Sequence, residues 1–384
     1  MNYNNHIAKQ TSGAIRVSCG LLFMLFSFCY LFFLQGDLLS EAQYVYSHGL
    51  TAYSMLVGAL LVTVVLQVLQ WVVRLVLKPN WSYYSLSYFP SLLVLAVLTD
   101  LDEGRIQESS LGSWVWLCPL LLVGFVLLVF FLKSLRLGDT SSALYDLLWK
   151  NYLILFVLFL CCGSVSSTKD VYHYELKAER LIMEHDYEAA ARVADRSLQA
   201  SRRLTELRMY ALAKQGLLGE CLFDYPQYYG GDGLLSLADT AAIHRYSAER
   251  ICYALGALPD RKTIRSVGHY LKVMNQVDSL RTPLTQDYYL CYLLLQKDWK
   301  SFARKLPQFY PQGETTALPR AYREAVLYIN NVYGRHLLYA IPQETTALYE
   351  QYLQRKAEIK ERRERMNLTR REFGNTFWWY FECQ

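Results

Sequence analysis

The residues best suited to chemistry are five acids, Asp37, Glu41, Asp100, Asp102 and Glu103, set in two short connections between apolar runs. Carboxylates converging at a membrane face could serve as general acid and base on an envelope glycan or lipid. They also have a plainer explanation: lysine and arginine set the orientation of a membrane chain, and acids are tolerated outside. Other chemical sets lack the spacing they need. His173, His185, His244, His269 and His336 form no H-E-x-x-H or comparable pair, and no G-x-S-x-G elbow frames a serine. The nine cysteines contain no C-x-x-C pair, which argues against zinc. Cys221, Cys252, Cys291 and Cys383 would be open to disulfide formation in an oxidising compartment, but no pattern demands it. Residues 224–233 hold a proline and three glycines, without the strand before or the Lys-Ser/Thr after that a phosphate cradle requires. They make a loop, and its tyrosines suit a partner contact. Glu175 and Glu179 are expected on solvated helix faces. No catalytic, cofactor-binding or metal-binding residue is assigned, and no small-molecule ligand is named.

Any such group must be positioned by a chain of two compositions. Of 39 basic and 34 acidic residues, only eight of each precede residue 166, leaving 31 and 26 for the remainder. The net charge of +5 therefore lies in the second part. It is too mixed in sign to argue for nucleic acid, which wants a basic face.

A bilayer is crossed by about 20 apolar residues as a helix. The first 168 residues hold five candidate spans, at about 15–34, 51–77, 84–99, 111–132 and 152–165. The third is short and carries Pro90. The fifth is short as well and could borrow Leu147, Leu148 and Trp149. Connections alternate in charge. Lys9 and Arg16 precede the acids Asp37 and Glu41; Arg74 and Lys78 precede the acidic third loop; Lys133, Arg136 and Lys150 follow. This alternation expects a cytoplasmic N-terminus and, with five spans, a C-terminal part outside. Trp71, Trp81, Tyr83, Tyr84, Trp114, Trp116, Trp149 and Tyr152 stand near span ends, as interfacial aromatics do. Gln67 and Gln70 are the most polar residues well inside a span. Transport, which would need ionisable groups there, is disfavoured.

Residues 169–384 read as helical throughout. Residues 174–200 divide into two antiparallel helices. Leu176, Leu181 and Ile182 form the first face, His185-Asp186-Tyr187 the turn, and Ala190, Ala194 and Leu198 the second face. A third helix over about 205–215 ends at Gly216. The string from Ala178 and Leu181 through His185-Asp186-Tyr187-Glu188-Ala189-Ala190 to Ser197-Leu198 resembles a tetratricopeptide repeat, with His185 where that motif carries glycine. Leu207 to Gly216 resembles the first helix of a following unit, offset by about 31 residues against the ~34 of that family. Leu293-Leu294-Leu295-Gln296-Lys297-Asp298-Trp299 with Phe302-Ala303 has the same character. The whole chain also resembles an uncharacterised group of Bacteroidetes membrane proteins, with N-terminal spans, a helical-repeat tail and a closing segment like Phe373 to Tyr380. That resemblance implies a Gram-negative inner membrane and no known activity.

The expected fold class is all-α: a transmembrane helix bundle over 1–168, then a tetratricopeptide-like α-solenoid over 169–384. Such solenoids bind segments of other proteins. The expected function is a membrane-anchored interaction or scaffold module of the cell envelope, with the bilayer and other envelope proteins as partners. The alternative is an enzyme, or a subunit of one, acting on envelope glycans or lipids. Candidate partner-binding residues are Tyr187, Tyr210, Tyr288, Tyr289 and Tyr292, with Trp378 and Trp379 in the aromatic tail. The tail rings are first expected to fold back and cap the helical part. A membrane-surface contact is the sharper reading.

Overall fold

A computed structural model describes residues 2–79, 81–134, 144–165, 170–237, 244–260, 264, 266–312, 317–359 and 361–384. The described chain is all-helical, 73% helix with no strand. It divides into two compact units, one of residues 1–173 with 242–245, the other of 174–241 with 246–384. All nine cysteines are unpaired.

The first unit contains α1 (Asn2–Cys29), continued by a π-helical turn at Tyr30–Leu34, then α2 (Gly36–Tyr46) and α3 (Met55–Leu77). A 3-10 helix at Trp81–Tyr88 leads into α4 (Phe89–Thr99), followed by α5 (Glu103–Glu108), α6 (Trp114–Ser134) and α7 (Leu144–Val165). Among the described residues, five helical stretches are long and apolar enough to cross a membrane: Gly13–Leu34, Met55–Leu77, Ser82–Thr99, Trp114–Ser134 and Tyr145–Val165. The fifth does take in Leu147, Leu148 and Trp149. The second starts later than expected, because Ser54 is extended and stands at the helix N-cap. Arg136 and the side chains of Lys9 and Trp81 lie outside what is described.

The third span is the centre of this unit. Its apolar window is 67% buried, against 11% for Trp114–Ser134, so its neighbours rather than lipid surround it. It is also broken, since Tyr83 has φ −137° and ψ 33° inside the 3-10 stretch. Pro90 sits in the first turn of α4, where no N–H is needed. Irregular backbone at membrane depth survives only when buried and hydrogen-bonded. Here Asn151 Oδ1 accepts the Ser85 N–H at 2.8 Å, and Ser91 Oγ donates to the Leu66 carbonyl at 2.8 Å. Gln70 Nε2 donates to Ser87 Oγ at 2.9 Å and Tyr84 OH at 3.2 Å. The span interior is thus more polar than Gln67 and Gln70 alone suggested. Asn151 stands one residue before the apolar run at 152–165, so hydropathy alone places it outside the fifth span.

The second unit holds α8 (Asp170–Met183) from residue 174 onward, α9 (Tyr187–Ala191), α10 (Arg202–Lys214), α11 (Ala248–Leu255), α12 (Val267–Gln276) and α13 (Pro283–Leu295). It continues with α14 (Trp299–Phe309), α15 (Arg320–Tyr333), α16 (Gln343–Glu358), α17 (Arg362–Phe373) and α18 (Phe377–Cys383). Helices α10, α13 and α15 form its core: residues 204–213 are all buried. Helices α13, α14, α15 and α16 pack each on the next, and α18 lies against α15.

Two helical hairpins share one turn chemistry. At His185 and Lys297 the backbone is left-handed, with φ 62° and 59°. The following Asp N–H reaches five residues back, Asp186 to the Leu181 carbonyl and Asp298 to Leu293, both at 2.9 Å. Each Asp then caps the next helix, Asp186 accepting from Ala189 N at 3.0 Å and Asp298 from Ser301 N at 3.1 Å. The expected second helix, however, stops at Ala191 instead of reaching Leu198. Ala194 takes φ 54°, and Leu198 is 67% exposed rather than part of a buried face.

Candidate functional site

The early end of α9 creates a cleft in the second unit. Arg208, 2% exposed, donates from Nε to the Val193 carbonyl at 2.9 Å, and its guanidinium stacks 4.3 Å from the Tyr225 ring centre. Burial pushes the Arg208 pKa down; Tyr225 and Asp195 work against that. Tyr225 OH donates to the Ala191 carbonyl at 2.6 Å. These bonds fix the turn at 192–198 from behind. Facing it are the loop at 223–227 and the C-terminal helices, which enclose a cleft of about 190 Å³. Its mouth carries charge of both signs from Asp195, Arg196, Asp224 and Arg370, with Trp379 and Tyr380 forming an aromatic wall.

Beside the cleft, Tyr228 and Tyr229 are 48% and 39% exposed, yet neither hydroxyl is loose. Tyr228 OH accepts from Arg370 Nη2 at 3.0 Å, and Tyr229 OH donates to the Ala200 carbonyl at 3.2 Å. Exposed rings held in place suit a partner contact, since tyrosine supplies contact area at low entropic cost. The tyrosine-bearing loop is legible in the sequence, but nothing local ties it to Arg370, 142 positions further on. The glycines that follow serve packing rather than a ligand. A Cβ at Gly231 or Gly268 would come within 2.7 or 2.6 Å of the Tyr292 ring, which is wedged between them.

The seven residues proposed from sequence fall mainly in the core. Tyr210, Tyr288, Tyr289, Trp378 and Trp379 are all buried, at 7% exposure or less; of these Trp379 edges the cleft and the others pack in the protein's own interior. Tyr210 OH accepts from Tyr246 at 2.7 Å, and Trp379 Nε1 donates to Thr369 at 3.1 Å. Tyr292 is half-buried between the two glycines. Tyr187 is half-buried, its hydroxyl 3.0 Å from His185 Nδ1. Because aromatic spacing in a helical unit marks core as readily as surface, the sequence pattern did not separate the two.

The closing aromatic segment is tied down along its length. Phe377 N–H donates to Glu324 Oε2 at 2.7 Å, Tyr380 OH to the Leu295 carbonyl at 2.7 Å, and Lys297 Nζ to the Phe381 carbonyl at 3.0 Å. Glu382 accepts from Tyr352 at 2.7 Å and pairs with Lys356 at 2.6 Å. The tail therefore folds back onto the helices, as first expected.

Three of the five acids weighed for catalysis, Glu41, Asp100 and Asp102, have structural work. Within the first unit, Asp100 Oδ2 pairs with Arg105 at 2.5 Å and accepts from Trp114 Nε1 at 2.7 Å. Asp102 caps α5, accepting from Arg105 N at 2.9 Å. Glu41 pairs with Arg245 at 3.0 Å, and Glu103 stands 3.9 Å from His244 Nε2. In the second unit, Glu179 is buried rather than solvated, because Arg203 reaches it at 2.9 Å while also holding Glu206 at 2.7 Å. Burial opposes the Arg203 charge, but the two carboxylates outweigh it and hold its pKa above the ordinary value.

Five apolar helices and a second, wholly helical unit define the class: a multi-pass helical membrane protein. The chain matches the model described as "Family of unknown function (DUF6057)" over residues 104–260 and 277–384, and it belongs to that family. The match takes in α5 to α7 and most of the second unit. No curated protein and no solved structure matches the chain significantly.

Proposed function

We propose that this protein is a membrane-anchored interaction module of the cell envelope, with its helical-repeat unit on the periplasmic side of an inner membrane. The contact site is the cleft flanked by Tyr228 and Tyr229, and the partner is another envelope protein. The observation that carries this reading is the fixing of two exposed tyrosines by Arg370 and the Ala200 carbonyl. Tyrosine and arginine dominate interface energetics when held in place. The repeated left-handed turn and Asp cap at 185–186 and 297–298 support a tetratricopeptide-like stack. The alternation of basic and acidic connections supports the orientation. The enzymatic alternative draws less support, because Glu41, Asp100 and Asp102 are engaged as ion-pair partners or caps.

The test is a photo-crosslinking amino acid placed at 228 or 229 in native membranes, with position 253 as control. Tyr253 is 75% exposed and does not line the cleft. A discrete protein adduct from 228 and 229, absent at 253 and weakened by Arg370→Ala, is expected. No adduct at either position, or the same adduct at 253, overturns the site.

A further inference from the structure

The first unit contains a second cavity, independent of the interaction reading. It measures about 480 Å³ and lies where α2 meets α3 and α4. This size falls within the range of small-molecule sites. Its walls are Leu31, Leu39, Ala42, Val62, Val97 and Leu98. The sequence of α2 explains the shape. Leu39, Ala42, Gln43 and Tyr46 recur at i, i+3, i+4 and i+7 and turn one stripe to the cavity, while Ser40 and Glu41 turn away to Arg245.

Position decides what such a cavity holds. Leu31 is near the end of the first span, Val97 and Leu98 near the end of the third, and Leu111 just before the fourth. Val62 is about 10 Å into the second span from Met55, at 1.5 Å per residue. The cavity therefore runs from one edge of the bilayer into its apolar depth. Its mouth is polar on one side, with Gln43 and Ser47, and apolar on the other, where Leu98 and Leu111 are 40% and 57% exposed. The Tyr53 ring closes one wall against Gly58, and its buried hydroxyl has no hydrogen-bond partner among the described residues. An apolar shaft with a polar edge, opening where headgroup meets hydrocarbon, matches an amphiphile. We propose that it is a binding site for one acyl chain of a membrane phospholipid, with the ester end at Gln43, Ser47 and Tyr53. The bilayer that surrounds these spans is its source.

The full chain would be reconstituted in phosphatidylethanolamine–phosphatidylglycerol vesicles carrying a diazirine in one acyl chain, then irradiated and mapped. Adducts should concentrate on residues 39–47 and 97–101, about tenfold above the lipid-facing side chains of α6 such as Leu120 and Leu127. Ala42→Phe and Val62→Phe fill the shaft from opposite walls, and each should remove that excess while leaving the melting temperature of the protein unchanged or higher. Labelling that merely follows exposure, or that survives in either folded variant, overturns the proposal. Loss of the label to equimolar free fatty acid would also overturn it, by assigning the site to a different amphiphile.

Discussion

Glu324 Oε2 accepts the backbone N–H of Phe377 at 2.7 Å, so a buried carboxylate on α15 holds the first residue of α18. Its other oxygen accepts from Arg320 Nε at 2.9 Å, and Arg320 in turn reaches the Asn375 carbonyl at 2.9 Å. One ion pair thus anchors the entry to the closing aromatic segment. Removing it with Glu324→Ala leaves a buried N–H and a partly buried guanidinium short of an acceptor. The expected cost is about 3–5 kcal/mol, the range for breaking a buried pair. Glu324→Gln keeps an acceptor and should cost clearly less. Thermal unfolding in detergent, with proteolysis after Arg371 as a local probe, separates the two variants.

The same carboxyl has a definite pH signature. Burial pushes its pKa up from 4.5, with Arg320 and the Phe377 N–H working against that shift. A carboxyl raised in the fold binds its proton more tightly there than in the unfolded chain. Its contribution to stability is therefore full below the unfolded value and declines as pH rises through the folded one. The stability of the wild type relative to Glu324→Gln should be greater at about pH 4 than at about pH 7. Melting both proteins at the two pH values checks the sign, and the opposite trend would show that Arg320 dominates.

Legibility in the sequence followed the range of the interactions. The five spans and the Asp-capped hairpins depend on neighbours within a few residues, and they were readable. The break at Tyr83 depends on Asn151, and the burial of Glu179 depends on Arg203; neither partner is local. The tyrosines of α10 and α13 carried the ambiguity of their type, being as fit for core as for surface. At the candidate cleft, the loop at 224–233 was visible as a loop, but its fixing by Arg370 joins residues 142 positions apart.

The Asn151–Ser85 bond yields a prediction of its own. Asn151→Leu removes the acceptor for a buried N–H inside the third span, where lipid and protein offer no water to replace it. The expected loss is about 1–3 kcal/mol, the cost of one unsatisfied buried group. Asn151→Asp should retain part of the stability, because a carboxyl oxygen can still accept. Melting in detergent orders the three proteins, and an unaffected Asn151→Leu would show that the break is satisfied by another group.

The wedge of Tyr292 between Gly231 and Gly268 predicts an overpacking effect. Alanine at either position puts a methyl within 2.7 or 2.6 Å of the ring, so the ring or the loop must shift. Each substitution should destabilise by about 1–3 kcal/mol. Adding Tyr292→Leu should recover part of that loss if the ring is the obstacle. Failure of the double variant to recover would place the strain in the backbone instead.

Orientation can be read from thiol chemistry, provided the reporter is chosen by exposure. Cys383 is half-buried in α18, and burial, with Glu382 beside it, pushes its thiol up; Tyr352, Arg365 and Lys356 oppose this. Burial likewise raises Cys221 to about 11 and Cys252 to about 12. The thiolate is the reactive form, so these native sites should react slowly. Leu338 is 74% exposed, and a cysteine placed there by Leu338→Cys should react roughly tenfold faster than Cys383. Under the inner-membrane placement proposed above, with a membrane-impermeant maleimide and a permeabilised outer membrane, fast labelling of Leu338→Cys is the outcome that the alternating loop charges predict. Labelling only after the inner membrane is opened would put the helical unit in the cytoplasm. A denatured sample that labels fully at every cysteine confirms that slow reaction reflects burial and not oxidation.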